Sequence, residues 1–90
     1  MSTTSGEKRR VRLTLYGRAG CHLCDEMRAV VHGLARELPI ALQEVDVDTD
    51  AALAATYGAE VPVLCVNGRK AFKYRVDPSA LRARVARELV

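Results

Sequence analysis

The hydrophobic period of this chain changes twice between residues 11 and 47, and that change limits its fold more than any other feature. Val11-Arg12-Leu13-Thr14-Leu15-Tyr16 alternates apolar and polar before losing the alternation, as a half-buried strand does. Met27, Val30, Val31, Leu34 and Leu38 then recur at three- and four-residue steps, the spacing of an amphipathic helix. Pro39 stops that helix, because proline has no amide donor and clashes with the preceding turn. Ile40 to Val47 returns to a strand-like pattern, with a slip of phase at Gln43-Glu44 that predicts a bulge. Strand, helix, strand is a βαβ unit, and such a crossover lays its two strands parallel.

Downstream, Asp48, Thr49 and Asp50 offer N-caps for a short helix through Ala51, Leu53, Ala54 and Tyr57, which Gly58 is placed to end. Val61 to Val66 is apolar apart from Pro62 and predicts a central strand buried on both faces. Asn67-Gly68 follows, a strong hairpin signal because a type I′ turn needs positive φ at both positions. The returning strand, Arg69 to Val76, would place Phe72, Tyr74 and Val76 on one face and Arg69, Ala71, Lys73 and Arg75 on the other. Such charges keep an edge strand from recruiting a neighbour. Asp77 and Pro78 supply an N-cap and a first-turn proline, and Leu81, Val85 and Leu89 line the last helix. The order β-α-β-α-β-β-α predicts an α/β domain over residues 11–90, with a four-stranded mixed sheet flanked by helices. A flexible polar tail is expected over residues 1–10.

Ninety residues make one domain with an adequate core. Three cysteines are too few for a disulfide-stapled secreted scaffold. The tail ends in Lys8-Arg9-Arg10 without the apolar segment of a signal peptide, and nothing approaches the roughly 20 apolar residues of a membrane helix. A cytoplasmic location and no membrane partner are therefore expected. The net charge of +3 is uneven: residues 61–90 hold seven bases against Asp77 and Glu88. With only four aromatic residues in the chain, a stacking platform for nucleic acid is poorly supplied, and the charges read as solvated faces.

Cys21 and Cys24 stand where the first strand gives way to the first helix. Paired thiols at this spacing hold a metal, form a structural bridge or shuttle electrons. A reducing cytoplasm disfavours the bridge. Zinc would draw on Cys21, His22, Cys24 and Cys65. Cys65, however, is embedded in the apolar run "PVLCVN", where it reads as a buried core thiol, and His32 falls at mid-helix. A helix N-terminus carries unpaired amide donors and about half a positive charge. A thiolate at Cys21 would be stabilised there, with its pKa below the free value near 8.5. Cys24, one turn further on, would feel less of this. Cys21 is thus expected to be the nucleophile and Cys24 the resolving thiol. Asp25 and Glu26 would offset part of the effect.

The stretches "LTLYGRAGCHLC", "EVDVD" and "AEVPVLCVNGR", with the terminal helix, resemble the thioredoxin fold and most closely its glutaredoxin-like branch, over residues 11–90. The resemblance implies a thiol–disulfide oxidoreductase with a redox-active Cys21–Cys24 disulfide and no metal or separate cofactor. Protein disulfides would be its substrates, glutathione a candidate co-substrate, and glutathione or a thioredoxin-reductase-type system its reductant. A monomer with a reduction potential between about −270 and −200 mV is expected. Pro62 matches the family's cis-proline, beside which the backbone of Val61 offers hydrogen bonds to an extended peptide or glutathione. Arg18 matches a basic residue that stabilises the thiolate or grips a carboxylate. His22 stands where many members have proline, close enough to tune the thiolate. The chain departs from the family at a Gly-Gly-x-Asp turn, since Arg69 to Asp77 contains no glycine, which implies weak glutathione recognition. Two other readings stay open: the same cysteines as ligands of a metal or shared iron–sulfur cluster, and a non-catalytic thioredoxin-fold interaction domain.

Overall fold

The computed structural model describes residues 10–90; the tail expected before Val11 lies, but for Arg10, outside them. Strand β1 (Val11–Gly17) leads into helix α1 (His22–Ala35) and strand β2 (Ile40–Asp46). A 3₁₀ turn (Val47–Thr49), helix α2 (Ala51–Tyr57), strands β3 (Val63–Val66) and β4 (Arg69–Lys73) and helix α3 (Pro78–Glu88) follow. The sheet order is β2-β1-β3-β4, with β1 and β2 parallel and the other pairs antiparallel. This is the thioredoxin-like βαβαββα fold. Among the described residues no helix is long and apolar enough to cross a membrane.

The two periods place the core where they predict it. Val11, Leu13 and Leu15 from β1 meet Met27, Val31 and Leu34 from α1 and Leu81 and Val85 from α3, all buried. Leu64 and Val66 of β3 join the same layer. Alternate residues point the other way, where Tyr57, the last residue of α2, stacks on Tyr16 with ring centroids 4.1 Å apart. Two N-caps hold as the side chains suggest, Asp50 accepting from the Ala52 N–H and Asp77 from the Ala80 N–H, and Pro78 opens α3. The Asn67-Gly68 turn has φ of 49° and 86°, as a type I′ hairpin requires.

Several boundaries differ from the sequence expectation. No bulge lies at Gln43-Glu44: β1 and β2 pair without interruption from Val11↔Ile40 to Gly17↔Asp46. As an edge strand, β2 is only partly covered, so its hydrophobic pattern need not follow the pleat strictly. Val47 leaves the strand and is buried in the 3₁₀ turn that Asp46 caps. Helix α1 ends at Ala35, and Leu38 is carried in the following turn by its N–H bond to the Leu34 carbonyl. Gly58 ends α2 in the right-handed region, at φ −55°, and not in a left-handed cap. The irregularity in the sheet falls instead between β3 and β4. Leu64 pairs with Phe72 and Cys65 with Lys70, so Ala71 is the extra residue. Ala71 and Phe72 consequently both pack against the core, and the expected face of Phe72, Tyr74 and Val76 is broken. Strand β4 stops at Lys73 because Tyr74 takes φ 68° and donates its N–H to the Pro62 carbonyl. Strand β3 likewise begins at Val63 rather than Val61, after the cis Val61-Pro62 peptide.

Candidate active site

The first loop delivers both cysteines to one end of the sheet. Gly20, at φ 74°, turns the chain after β1, and Cys21 is the N-cap of α1. Its Sγ accepts the Cys24 N–H at 3.1 Å, the place a serine or aspartate oxygen takes in an ordinary cap. The two sulfurs are joined in a disulfide, with the Cα atoms 5.2 Å apart. Their surroundings differ: Cys21 is part-exposed, whereas Cys24 is 1% exposed and packs beneath it.

Gly17 makes that packing possible. Its φ is unremarkable for any residue, so the requirement is space and not backbone freedom. A Cβ there would lie 2.9 Å from the Cys24 Sγ and 3.3 Å from its Cβ. Gly17→Ala is therefore expected to destabilise the oxidised protein by about 1–3 kcal/mol, the usual cost of overpacking. Urea unfolding of the oxidised and reduced proteins checks this; the loss should be larger when the disulfide holds Cys24 in place.

Around the pair, charges are matched two and three at a time. Asp25 accepts from Arg28 at 2.7 Å, and Arg28 also reaches Glu44 of β2 at 2.6 Å. The hydrogen bonds that Arg28 donates to Glu44 and Asp25 raise the pKa of its guanidinium. Glu26 meets His22 at 3.1 Å and Arg75 at 3.2 Å. The acids expected to oppose a Cys21 thiolate thus have basic partners. Arg18 forms a bidentate pair with Asp48, at 3.0 and 3.2 Å, and donates to the Gly58 carbonyl at 3.1 Å. It ties the cysteine loop to the 3₁₀ turn before α2 and to the residue that ends α2.

Val61 and Pro62 stand directly ahead of Val63, which pairs with Tyr16, the residue before Gly17. They therefore occupy the same end of the sheet as the cysteine loop. Pro62 is buried and its peptide is cis. His22 is exposed beside Cys21. Cys65 does not join them. It lies buried in β3 on the α2 side, next to Tyr57, and burial pushes its thiol up. Among the described residues no three His, Cys, Asp or Glu side chains converge as metal ligands. Sequence reasoning missed Asp48 as the partner of Arg18, Arg75 as that of Glu26, and the packing role of Gly17. For Gly17 there was a signal, since a glycine ending an apolar strand often marks close approach of another element.

A family model, the Glutaredoxin-like domain (DUF836), matches residues 12–86. An uncharacterised protein of Mycobacterium tuberculosis is 34% identical over 83 residues, spanning 87% of this chain and 86% of its own length. A structural genomics target protein from X. campestris is 41% identical, with a TM-score of 0.70 over 83% of this chain and 96% of that one. A mutant thioredoxin from Halobacterium salinarum is 28% identical, with a TM-score of 0.68 over 89% of this chain and 75% of that one. The βαβαββα fold agrees with these likenesses, and the chain belongs to the glutaredoxin-like domain family of the thioredoxin superfamily.

Proposed function

We propose that the chain is a thiol–disulfide oxidoreductase that reduces or exchanges the disulfides of other proteins through Cys21 and Cys24. The asymmetry of the pair carries this reading: a part-exposed cysteine caps the helix through a sulfur that accepts an amide N–H, while its partner is sealed beneath. After reduction, the first-turn amides and helix dipole favour a thiolate at Cys21. That thiolate attacks one sulfur of a substrate disulfide. The substrate S–S bond breaks, its second sulfur leaves as a thiolate and takes a proton from solvent, and a mixed disulfide remains. Cys24, having given its proton to solvent, attacks the Cys21 Sγ as a thiolate and expels the other substrate sulfur as a thiolate, which takes a proton from solvent. The chain is left with its Cys21–Cys24 disulfide, and two electrons have passed to the substrate. An external thiol or reductase returns them. The proposed setting is the cytoplasm, whose reductants would keep such a pair cycling.

Protein disulfides suit this site better than glutathione does. Arg18, the family's carboxylate grip, is already committed to Asp48 and Gly58. Tyr74 stands in a left-handed conformation natural to glycine and brings a bulky side chain to the turn after β4. The Asp77 carboxylate is engaged by the Ser79 hydroxyl and the Ala80 N–H, which hold it below the usual carboxylate range. Val61, beside the cis-proline, is the backbone position proposed to meet an extended substrate. The expected result is stoichiometric reduction of a protein disulfide by the reduced chain, with slow, unsaturated turnover in a glutathione-dependent mixed-disulfide assay. Efficient, saturable turnover with glutathione alone would overturn the preference. Failure to reduce any disulfide would overturn the function.

A further inference from the structure

Neither Glu26 nor Arg75 takes part in the exchange between thiols, yet together they span a groove that starts beside it. The groove, about 340 Å³, runs between α1, through Leu23, Met27 and Val30, and the connection from Tyr74 to Pro78. Its α1 wall begins two residues after Cys21. Across it, one Glu26 oxygen meets Arg75 at 3.2 Å and the other meets His22 at 3.1 Å. One carboxylate thus gathers two basic side chains from separate elements, 49 residues of sequence separating it from Arg75. All three groups face water: His22 is 85% exposed, Arg75 73% and Glu26 45%. The other charged groups nearby are engaged, Lys73 with Glu60 and Asp77 with Ser79 and Ala80.

Exposed ion pairs of this kind hold weakly, because water and salt screen them. A carboxylate arriving on a substrate can replace Glu26 at little cost. We infer that Glu26 is a built-in stand-in for a substrate carboxylate, and that the groove accepts a disulfide-bearing protein segment with an aspartate or glutamate side chain beside its cystine. The incoming carboxylate pairs with Arg75 and His22, and its aliphatic neighbours lie along the part-exposed Leu23 and Val30. This rests on the oxidoreductase reading and names its substrate class.

The test measures how fast the fully reduced chain is oxidised by two small disulfides, the dianionic dithiodiglycolate and the neutral bis-hydroxyethyl disulfide. The ratio of the two rate constants cancels changes in the intrinsic reactivity of Cys21. Glu26→Gln should raise the acidic-to-neutral ratio about two- to fivefold, the size of an exposed ion pair, and Arg75→Gln should lower it by a similar factor. High salt should compress both changes. Asp25→Asn removes the same charge one residue away but leaves Arg75 paired, and should shift the ratio far less. An unchanged ratio in the Glu26 and Arg75 variants, or an equal rise in the Asp25 variant, overturns the inference and leaves the oxidoreductase reading standing. If neither disulfide oxidises the wild-type chain, that reading falls and takes the inference with it.

Discussion

Replacing Cys21 with serine is expected to reduce disulfide exchange to the uncatalysed background, whereas Cys24→Ser leaves a protein that reacts once and stays bound to its substrate. Only Cys21 has both access to solvent and the helix N-terminus beneath its sulfur. A serine hydroxyl can replace the sulfur as an N-cap, so the fold should survive the first change with the chemistry gone. Cys24 is buried and cannot meet a protein substrate directly, but it sits at bonding distance from Cys21 and is placed to release the mixed disulfide. Without it the intermediate must wait for an outside thiol. Mass spectrometry after mixing with a disulfide substrate checks both: an added substrate mass on the Cys24 variant, and none on the Cys21 variant. An adduct on the Cys21 variant through Cys24 would reverse the assigned roles.

Leu13→Ala should cost about 2–5 kcal/mol, the range for emptying a fully buried leucine. Leu13 is 0% exposed on the inner strand β1, paired with Leu42 on one side and Val66 on the other. Its side chain belongs to the layer shared by α1, α3 and the sheet, so no single element can relax to fill the space. Domains of this size are commonly stable by only about 5–15 kcal/mol, which makes this a large fraction of the total. Leu42→Ala is the control, because Leu42 is only half-buried on the edge strand and should lose much less. Urea denaturation reads the difference as a lower midpoint with little change in slope. Equal losses at the two positions would mean that β1 is not the centre of the core.

Features that depend on neighbours in the chain are legible in the amino-acid sequence itself. The βαβ unit follows from hydrophobic period, the Asn67-Gly68 hairpin from turn chemistry, and the start of α3 from Asp77-Pro78. The cysteine pair at the strand–helix junction is legible for the same reason. The cis Val61-Pro62 bond follows from family resemblance and not from the local residues. What escapes a sequence reading depends on distant parts of the chain. Ala71 is extra only because of how β4 registers on β3, and the left-handed Tyr74 goes with the hydrogen bond its amide makes to Pro62. Arg18 and Asp48 meet because β1 and β2 run parallel and bring both of their C-terminal ends to one edge. The Glu26–Arg75 pair likewise exists only once α1 and the β4–α3 connection are docked. Ion pairs between elements carry no periodic signal, so the wiring around the cysteines is the least legible part of the site.

The central claim is that Cys21 is the activated thiol of a redox pair, and differential alkylation tests it most directly. The reduced protein is treated briefly with limiting iodoacetamide across a range of pH, and labelled peptides are quantified. Cys21 should be modified first, with a titration midpoint below the free-thiol value near 8.5, while Cys24 and Cys65 stay protected. Faster labelling of Cys24, or a Cys21 midpoint at or above the free value, would contradict the account.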